Sequence, residues 1–205
     1  VQVILRRHLR SDGRLFARDE LVAVYRQFCA EGGMRFDWQL VRNLQLKPMR
    51  TLSGVAPVTV LTAPHPCRGV CIYCPTVANA PKSYLPDEPG VQRALRFDYD
   101  PFAQTAGRIR ALTNIGHSTD KVELLILGGT WSDYDPEYQE GFVRRCLDAL
   151  NGRDASSLVE AQRHNEAAPH RNGGLAVETR PDCITREEVQ RLRDKVTEYE
   201  GKTHS

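Results

Sequence analysis

Cys67-Arg68-Gly69-Val70-Cys71-Ile72-Tyr73-Cys74 puts three thiols into eight residues. A C-x3-C-x2-C loop of this kind lets three thiolates wrap a cube of iron and sulfide. Three protein ligands leave one iron open to a substrate or cofactor, whereas four would close the site as in electron-transfer clusters. Structural zinc is a second reading; it wants a fourth ligand, for which His65 and Cys183 are candidates. Unligated thiols are a third. The other cysteines, Cys29, Cys146 and Cys183, are far apart and read as ordinary semi-buried thiols. Six cysteines would also suit disulfides in a small secreted chain, but the opening Val1-Gln2-Val3-Ile4-Leu5 is too short for a signal-peptide core and runs into Arg6 and Arg7. The clustering favours a metal or iron–sulfur site in a reducing, cytoplasmic compartment.

Strand-and-helix alternation must position that loop. Val58-Thr59-Val60-Leu61-Thr62 is β-branched and bounded by Gly54 and Pro64, so it reads as a strand delivering the cysteines. Val122–Leu127 reads as a buried strand ending in Gly128-Gly129, and Leu175–Thr179 as a third, stopped by Pro181. Helical periodicity marks 101–115 and 136–150, a looser helix lies within 151–173, and Thr185 with Glu188 forms a capping box. Residues 75–101 hold five prolines and read as a long irregular loop. The alternation predicts parallel crossovers of an α/β fold, with chemistry at the carboxyl ends of the strands. The cysteines, Gly128-Gly129 and Glu178-Thr179-Arg180 all fall there.

The first fifty residues carry ten Lys and Arg against five Asp and Glu, and two helices are expected there, one opening at Asp19-Glu20 and one near Asp37. The whole chain has 205 residues, a net charge of only +2, 40% hydrophobic and 26% charged residues. That is a soluble globular balance, and no apolar run approaches the roughly 18 residues of a membrane span.

A C-x3-C-x2-C loop after the first strand of an α/β barrel resembles the radical S-adenosylmethionine superfamily. Arg50–Ala56 leading into Ala63-Pro64-His65-Pro66-Cys67 is similar to the catalytic subunit of Elongator. So are Arg96–Phe102, Gly116–Glu123, Leu127–Thr130 and Glu178–Asp182, in family order from about residue 47 to 192. Eukaryotic members carry a longer insert between the first two cysteines, so the compact spacing here points to the prokaryotic type.

The resemblance implies a [4Fe-4S] cluster on Cys67, Cys71 and Cys74 whose open iron chelates S-adenosylmethionine, and a 5′-deoxyadenosyl radical that abstracts hydrogen from the methyl of acetyl-CoA. The carbon radical would add to carbon five of the wobble uridine of tRNA, and thioester hydrolysis would leave a carboxymethyl group. It implies cofactor-binding roles for Tyr73, Gly128, Gly129, Thr130 and Glu178. Lys121 would act toward acetyl-CoA as a cofactor-binding and catalytic residue. Plainer readings stand beside these: packing for Tyr73, a tight turn for the glycines, an Arg180 salt bridge for Glu178, a surface lysine for Lys121, a structural hydrogen bond for His117. Lys82, Arg93 and Arg96 would serve tRNA or be solvated. Elongator-like subunits or a second copy of the chain are further implied partners. Residues 1–54 would be a basic helical region contacting tRNA. Residues 55–205 would be about half of a partial (β/α)6 barrel, three strands of six, ending in a polar stretch from Lys195. With no acetyltransferase signature, the chain is expected to be part of a longer enzyme and not to turn over alone.

Overall fold

A valine-bearing run, a leucine-rich one and a glycine-containing one pair into a single parallel sheet. The computed structural model describes residues 6–45 and 48–200. Val1–Leu5, the basic Lys47 and residues 201–205 of the polar end lie outside the described residues. Strands β1 (Ala56–Leu61), β2 (Lys121–Leu127) and β3 (Arg171–Val177) are ordered β1-β2-β3, and both pairings are parallel. Val58 stands beside Leu124, and Leu124 beside Leu175. The α/β class and the three-stranded parallel sheet agree with the reading of the sequence.

Helices α1 (Arg18–Ala30) and α2 (Trp38–Leu44) precede the sheet. Asp37 starts α2 by accepting a bond from the Gln39 amide at 2.8 Å. Val22, Val41 and Leu44 form a small core of their own against Ile115. His117 ties this region to the amino end of β2: its Nδ1 lies 3.0 Å from Thr51 Oγ1 and 3.3 Å from Gln45 Nε2. The expected structural role for His117 is what the contacts show.

Between the strands run α3 (Pro89–Leu95), α4 (Pro101–Asn114), α5 (Pro136–Asn151) and α6 (Leu158–Asn165), and α7 (Arg186–Glu200) follows β3. Three of these open on an acid followed by proline: Glu88-Pro89, Asp100-Pro101 and Asp135-Pro136. Proline at the first helical position gives up an N–H that has no partner there anyway. Ile109 and Leu112 of α4 and Phe142, Val143, Cys146, Leu147 and Leu150 of α5 pack against Val58, Val60, Val122, Leu124 and Ile126. Each such side chain withdrawn from water contributes about 1.5–3 kcal/mol.

The sheet has two different edges. Thr62 donates its amide to Leu127 O, so by alternation Leu61, Thr59 and Pro57 turn away from β2. Pro57 has no N–H to present. Leu61 donates its amide to Gln104 Oε1, and Gln104 Nε2 donates back to Leu61 O, both at 2.9 Å. A buried side-chain amide from α4 thus stands in for a neighbouring strand. At the other edge β3 is largely exposed, Leu175 included.

Three boundaries differ from the sequence reading. The 75–101 stretch contains α3, because Pro89 opens a helix whose Val91 and Ala94 pack on Leu61. β3 begins at Arg171 and not at Leu175: Arg171 pairs with Lys121, and an irregularity opposite Val122/Glu123 takes up the extra residue at the Gly173-Gly174 pair. α7 runs to Glu200, through the segment read as a polar stop. Its Glu, Gln, Arg and Lys are good helix formers, and Val189 and Leu192 stand three apart, with Leu192 against the core.

Candidate cofactor site

All three strands end on one side of the sheet, and the loops leaving them enclose a cavity of about 300 Å³. Cys67, Cys71 and Cys74 line it from the loop after β1, Gly129 and Thr130 from the turn after β2, and Glu178 and Arg180 from the segment after β3. Cys71 is exposed, the other two are half-buried, and all three are free thiols. The wall opposite is supplied by Thr76, Lys82 and Ser83.

The turn after β2 depends on glycine. Gly128 has φ 132° and Gly129 φ 104°, and a Cβ on Gly128 would collide with the Thr62 hydroxyl. Both amides donate to Glu178 Oε2, at 3.2 and 3.3 Å, and the Tyr84 hydroxyl donates to the same oxygen at 2.7 Å. Glu178 in turn donates its own amide to Ile126 O and accepts from the Trp131 amide. Burial, then the Glu178 carboxylate, pushes the Tyr84 phenol well above its ordinary range, so it remains a donor.

The cysteine loop is held from two sides. Arg68 grips the Asp133 carboxylate through its backbone amide and guanidinium. Burial opposes ionisation of Asp133, but the Arg68 contacts outweigh it and hold the carboxyl below its usual range. Cys67 Sγ lies 3.3 Å from Thr130 Oγ1 and accepts from the Gly69 amide at 3.3 Å and Arg180 Nη1 at 3.4 Å. Burial works against the thiolate, yet these hydrogen bonds bring the Cys67 thiol below its usual value. An anionic sulfur is what iron or zinc requires.

Three free thiols on one cavity are a donor set suited to a thiolate-bound metal group. Among the described residues no three His, Cys, Asp or Glu side chains converge as ligands for one metal ion. Of the candidate fourth ligands, the His65 ring lies tilted against Tyr134 at 4.4 Å between centroids, and neither it nor Cys183 lines the cavity.

Of the residues singled out in the sequence, the fold gathers Cys67, Cys71, Cys74, Tyr73, Gly129, Thr130 and Glu178 at the cavity, with Gly128 directly behind it. Tyr73 is exposed at 87%, so packing does not explain it. The plainer reading of Glu178, a salt bridge to Arg180, is not what the structure shows. Arg180 pairs with Asp182, because Glu178 is turned onto the glycine amides. Lys121 is not brought to the cavity. It opens β2, paired beside Arg171, at the opposite end of the strand and about 20 Å away at some 3.3 Å per residue. Lys82 lines the cavity, its ammonium donating to Thr76 Oγ1, while Arg93 and Arg96 do not line it. Cys146 is fully buried, and Cys29 and Cys183 are half-buried. Four site residues escaped the sequence reading: Tyr84, Asp133, Arg180 as a sulfur donor, and Asp182 as its support. Polar singletons inside an ordered loop give no periodic signal.

No family model matches the chain. It is 53% identical over 148 residues to the tRNA uridine(34) acetyltransferase of Dehalococcoides mccartyi, covering 72% of this chain and 32% of that protein. It is 48% identical over 159 residues to the protein of the same name from Methanocaldococcus jannaschii, covering 75% and 29%. Identity to Elongator complex protein 3 of Homo sapiens is 40% over 159 residues, covering 72% and 29%. Among solved structures it resembles the Elp3 of Methanocaldococcus infernus with its N-terminus deleted, with TM-score 0.52 and 38% identity over 71% of this chain and 26% of that one. The chain spans about 30% of the length of the curated relatives it matches.

Proposed function

Because the chain is a homologue of the Elongator catalytic-subunit family over about 72% of its length, we propose that it acts in modification of the wobble uridine of tRNA, toward 5-carboxymethyluridine, with S-adenosylmethionine as cofactor and acetyl-CoA as co-substrate. The observation that carries this reading is the convergence of three cysteines, a positive-φ glycine pair and Glu178 on one cavity at the carboxyl end of a parallel sheet.

Cys67, Cys71 and Cys74 would hold a [4Fe-4S] cluster. When bound, such a cluster supplies the single electron that cleaves S-adenosylmethionine. The rest of the site is the work of this chain's own groups. Gly129 lets a ligand approach the backbone without a Cβ in the way. The Glu178 carboxylate, already oriented by two amides and the Tyr84 hydroxyl, suits an ammonium. Thr130 adds a hydroxyl, and Tyr73 leaves its main chain open for a flat ring. Thr76, Lys82 and Ser83 wall the cavity from the loop side and restrict water, which matters where a reactive carbon must survive to meet its target. Lys121 stands far from this cavity, so its part toward acetyl-CoA would be to hold a phosphate and not to touch the reacting carbon. The arginines of α1 and α2, and the half-buried Arg93 and Arg108, would meet tRNA phosphates. Burial and then neighbouring arginines depress the pKa of Arg108, to about 10, a charge a phosphate would relieve.

The test is anaerobic reconstitution with iron and sulfide, followed by reduction in the presence of S-adenosylmethionine. Uptake of iron, a charge-transfer absorbance and release of 5′-deoxyadenosine are expected, along with tRNA binding that weakens steeply with salt. A chain that takes stoichiometric zinc and no iron would refute the reading.

A further inference from the structure

We infer that Arg180 is a positioning residue for Cys67: its guanidinium, fixed by Asp182, delivers an N–H to the Cys67 sulfur and thereby raises the reduction potential of a cluster held there. The inference rests on the iron–sulfur reading above and concerns a residue that reading does not use.

Two independent features point to it. First, the guanidinium is oriented. Arg180 donates through Nε and Nη2 to the two oxygens of Asp182, a bidentate fork that fixes the plane and direction of the group. The third nitrogen, Nη1, is left facing Cys67 Sγ at 3.4 Å, 113 residues away in sequence. Second, the loop makes room for it. Gly69 sits against the same guanidinium, and a Cβ there would overlap Arg180 Nη1. Asp133, the carboxylate of the adjoining turn, is engaged by Arg68 and so does not compete for Arg180.

The physical effect follows from charge. A reduced cluster carries one more negative charge than an oxidised one, part of it on the ligating sulfurs. A permanently protonated guanidinium bonded to one of those sulfurs stabilises the reduced form more, so the potential rises. Because Arg180 bonds the sulfur and not the iron, it leaves the ligand count unchanged.

The experiment is an EPR-monitored redox titration of the full chain, reconstituted anaerobically, beside Arg180→Leu, Arg180→Lys and Gly69→Ala. Arg180→Leu should hold the same iron but show a reduced-to-oxidised ratio about tenfold lower at the wild-type midpoint, a midpoint about 59 mV more negative for a one-electron couple. Arg180→Lys should recover part of that shift, since it keeps the charge but not the fork. Gly69→Ala should shift the same way by displacing the guanidinium, and it carries the test if Arg180→Leu loses iron. A midpoint equal to wild type in the leucine and alanine variants overturns the inference while leaving the cluster intact. So does a lysine variant that recovers nothing. Wild type that takes up no iron overturns the proposed function, and this inference with it.

Discussion

Replacing Gln104 separates the hydrogen-bonding role of its amide from its bulk. The side chain is 5% exposed and Leu61 1% exposed, and the two bonds joining them are both 2.9 Å. In Gln104→Leu the volume stays but the Leu61 N–H and C=O lose their partners in a place water does not reach. Each stranded group costs about 1–3 kcal/mol, so the variant should lose about 2–6 kcal/mol. For a domain of ordinary stability, about 5–15 kcal/mol, that is a large share. Gln104→Glu refines the test. It keeps an acceptor for the Leu61 amide but sets a carboxylate oxygen against the Leu61 carbonyl. The folded state would then favour the protonated acid, raising the folded pKa above the unfolded one. Its deficit should therefore be full above the raised folded value and shrink as pH falls through it, where the acid proton replaces the lost donor. Urea unfolding of the full chain reads both, by circular dichroism and by the fluorescence of the buried Trp131. A Gln104→Leu midpoint within about 0.5 kcal/mol of wild type at equal m-value would refute the edge-pairing argument, as would a Gln104→Glu deficit independent of pH.

Burial pushes the Cys146 thiol up to about 12, so at pH 8 iodoacetamide should label the exposed Cys71 first and Cys146 only on unfolding; peptide mass mapping showing equal rates would contradict this. The Asp133 carboxyl is held below its ordinary value, so its grip on Arg68 contributes fully above the unfolded carboxylate pKa and is lost as pH falls through the lower folded one. Proteolysis within residues 67–74 should accelerate in that acid window and be fast at neutral pH in Arg68→Leu; a loop equally protected in both would sink the idea.

Much of this was legible because it repeats or clusters. The β-branched run at Val58, the apolar run at Val122 and the heptad-scale faces of α4 and α5 recur at fixed spacing and survive into the fold. The cysteines, the glycine pair and Glu178 stood out as residue types at strand ends, and the sheet brings them together. What could not be read is contact across long separations. Tyr84 meets Glu178 over 94 residues, and Arg180 meets Cys67 over 113. Tyr84 carries no local pattern, and the strand-end position of Arg180 does not tell which sulfur it meets. Gln104 looked like one more polar position on a helix, yet it closes a sheet edge. α3 is hard to see in a stretch with five prolines because one of them, Pro89, opens the helix.

The cavity takes one wall from each of three strands, and the Cys67–Thr130 contact and the Glu178–glycine bonds cross between them. A strand slipped by one residue would turn its contribution to the wrong face. Occupancy of the cavity is therefore a proofreading signal. A ligand that binds only the correctly registered sheet stabilises it by RT ln(1 + [L]/Kd), about 2.7 kcal/mol at a hundredfold excess over Kd. Ligand loaded per chain then becomes a count of correctly assembled molecules, and maturation of the site and of the fold are one equilibrium.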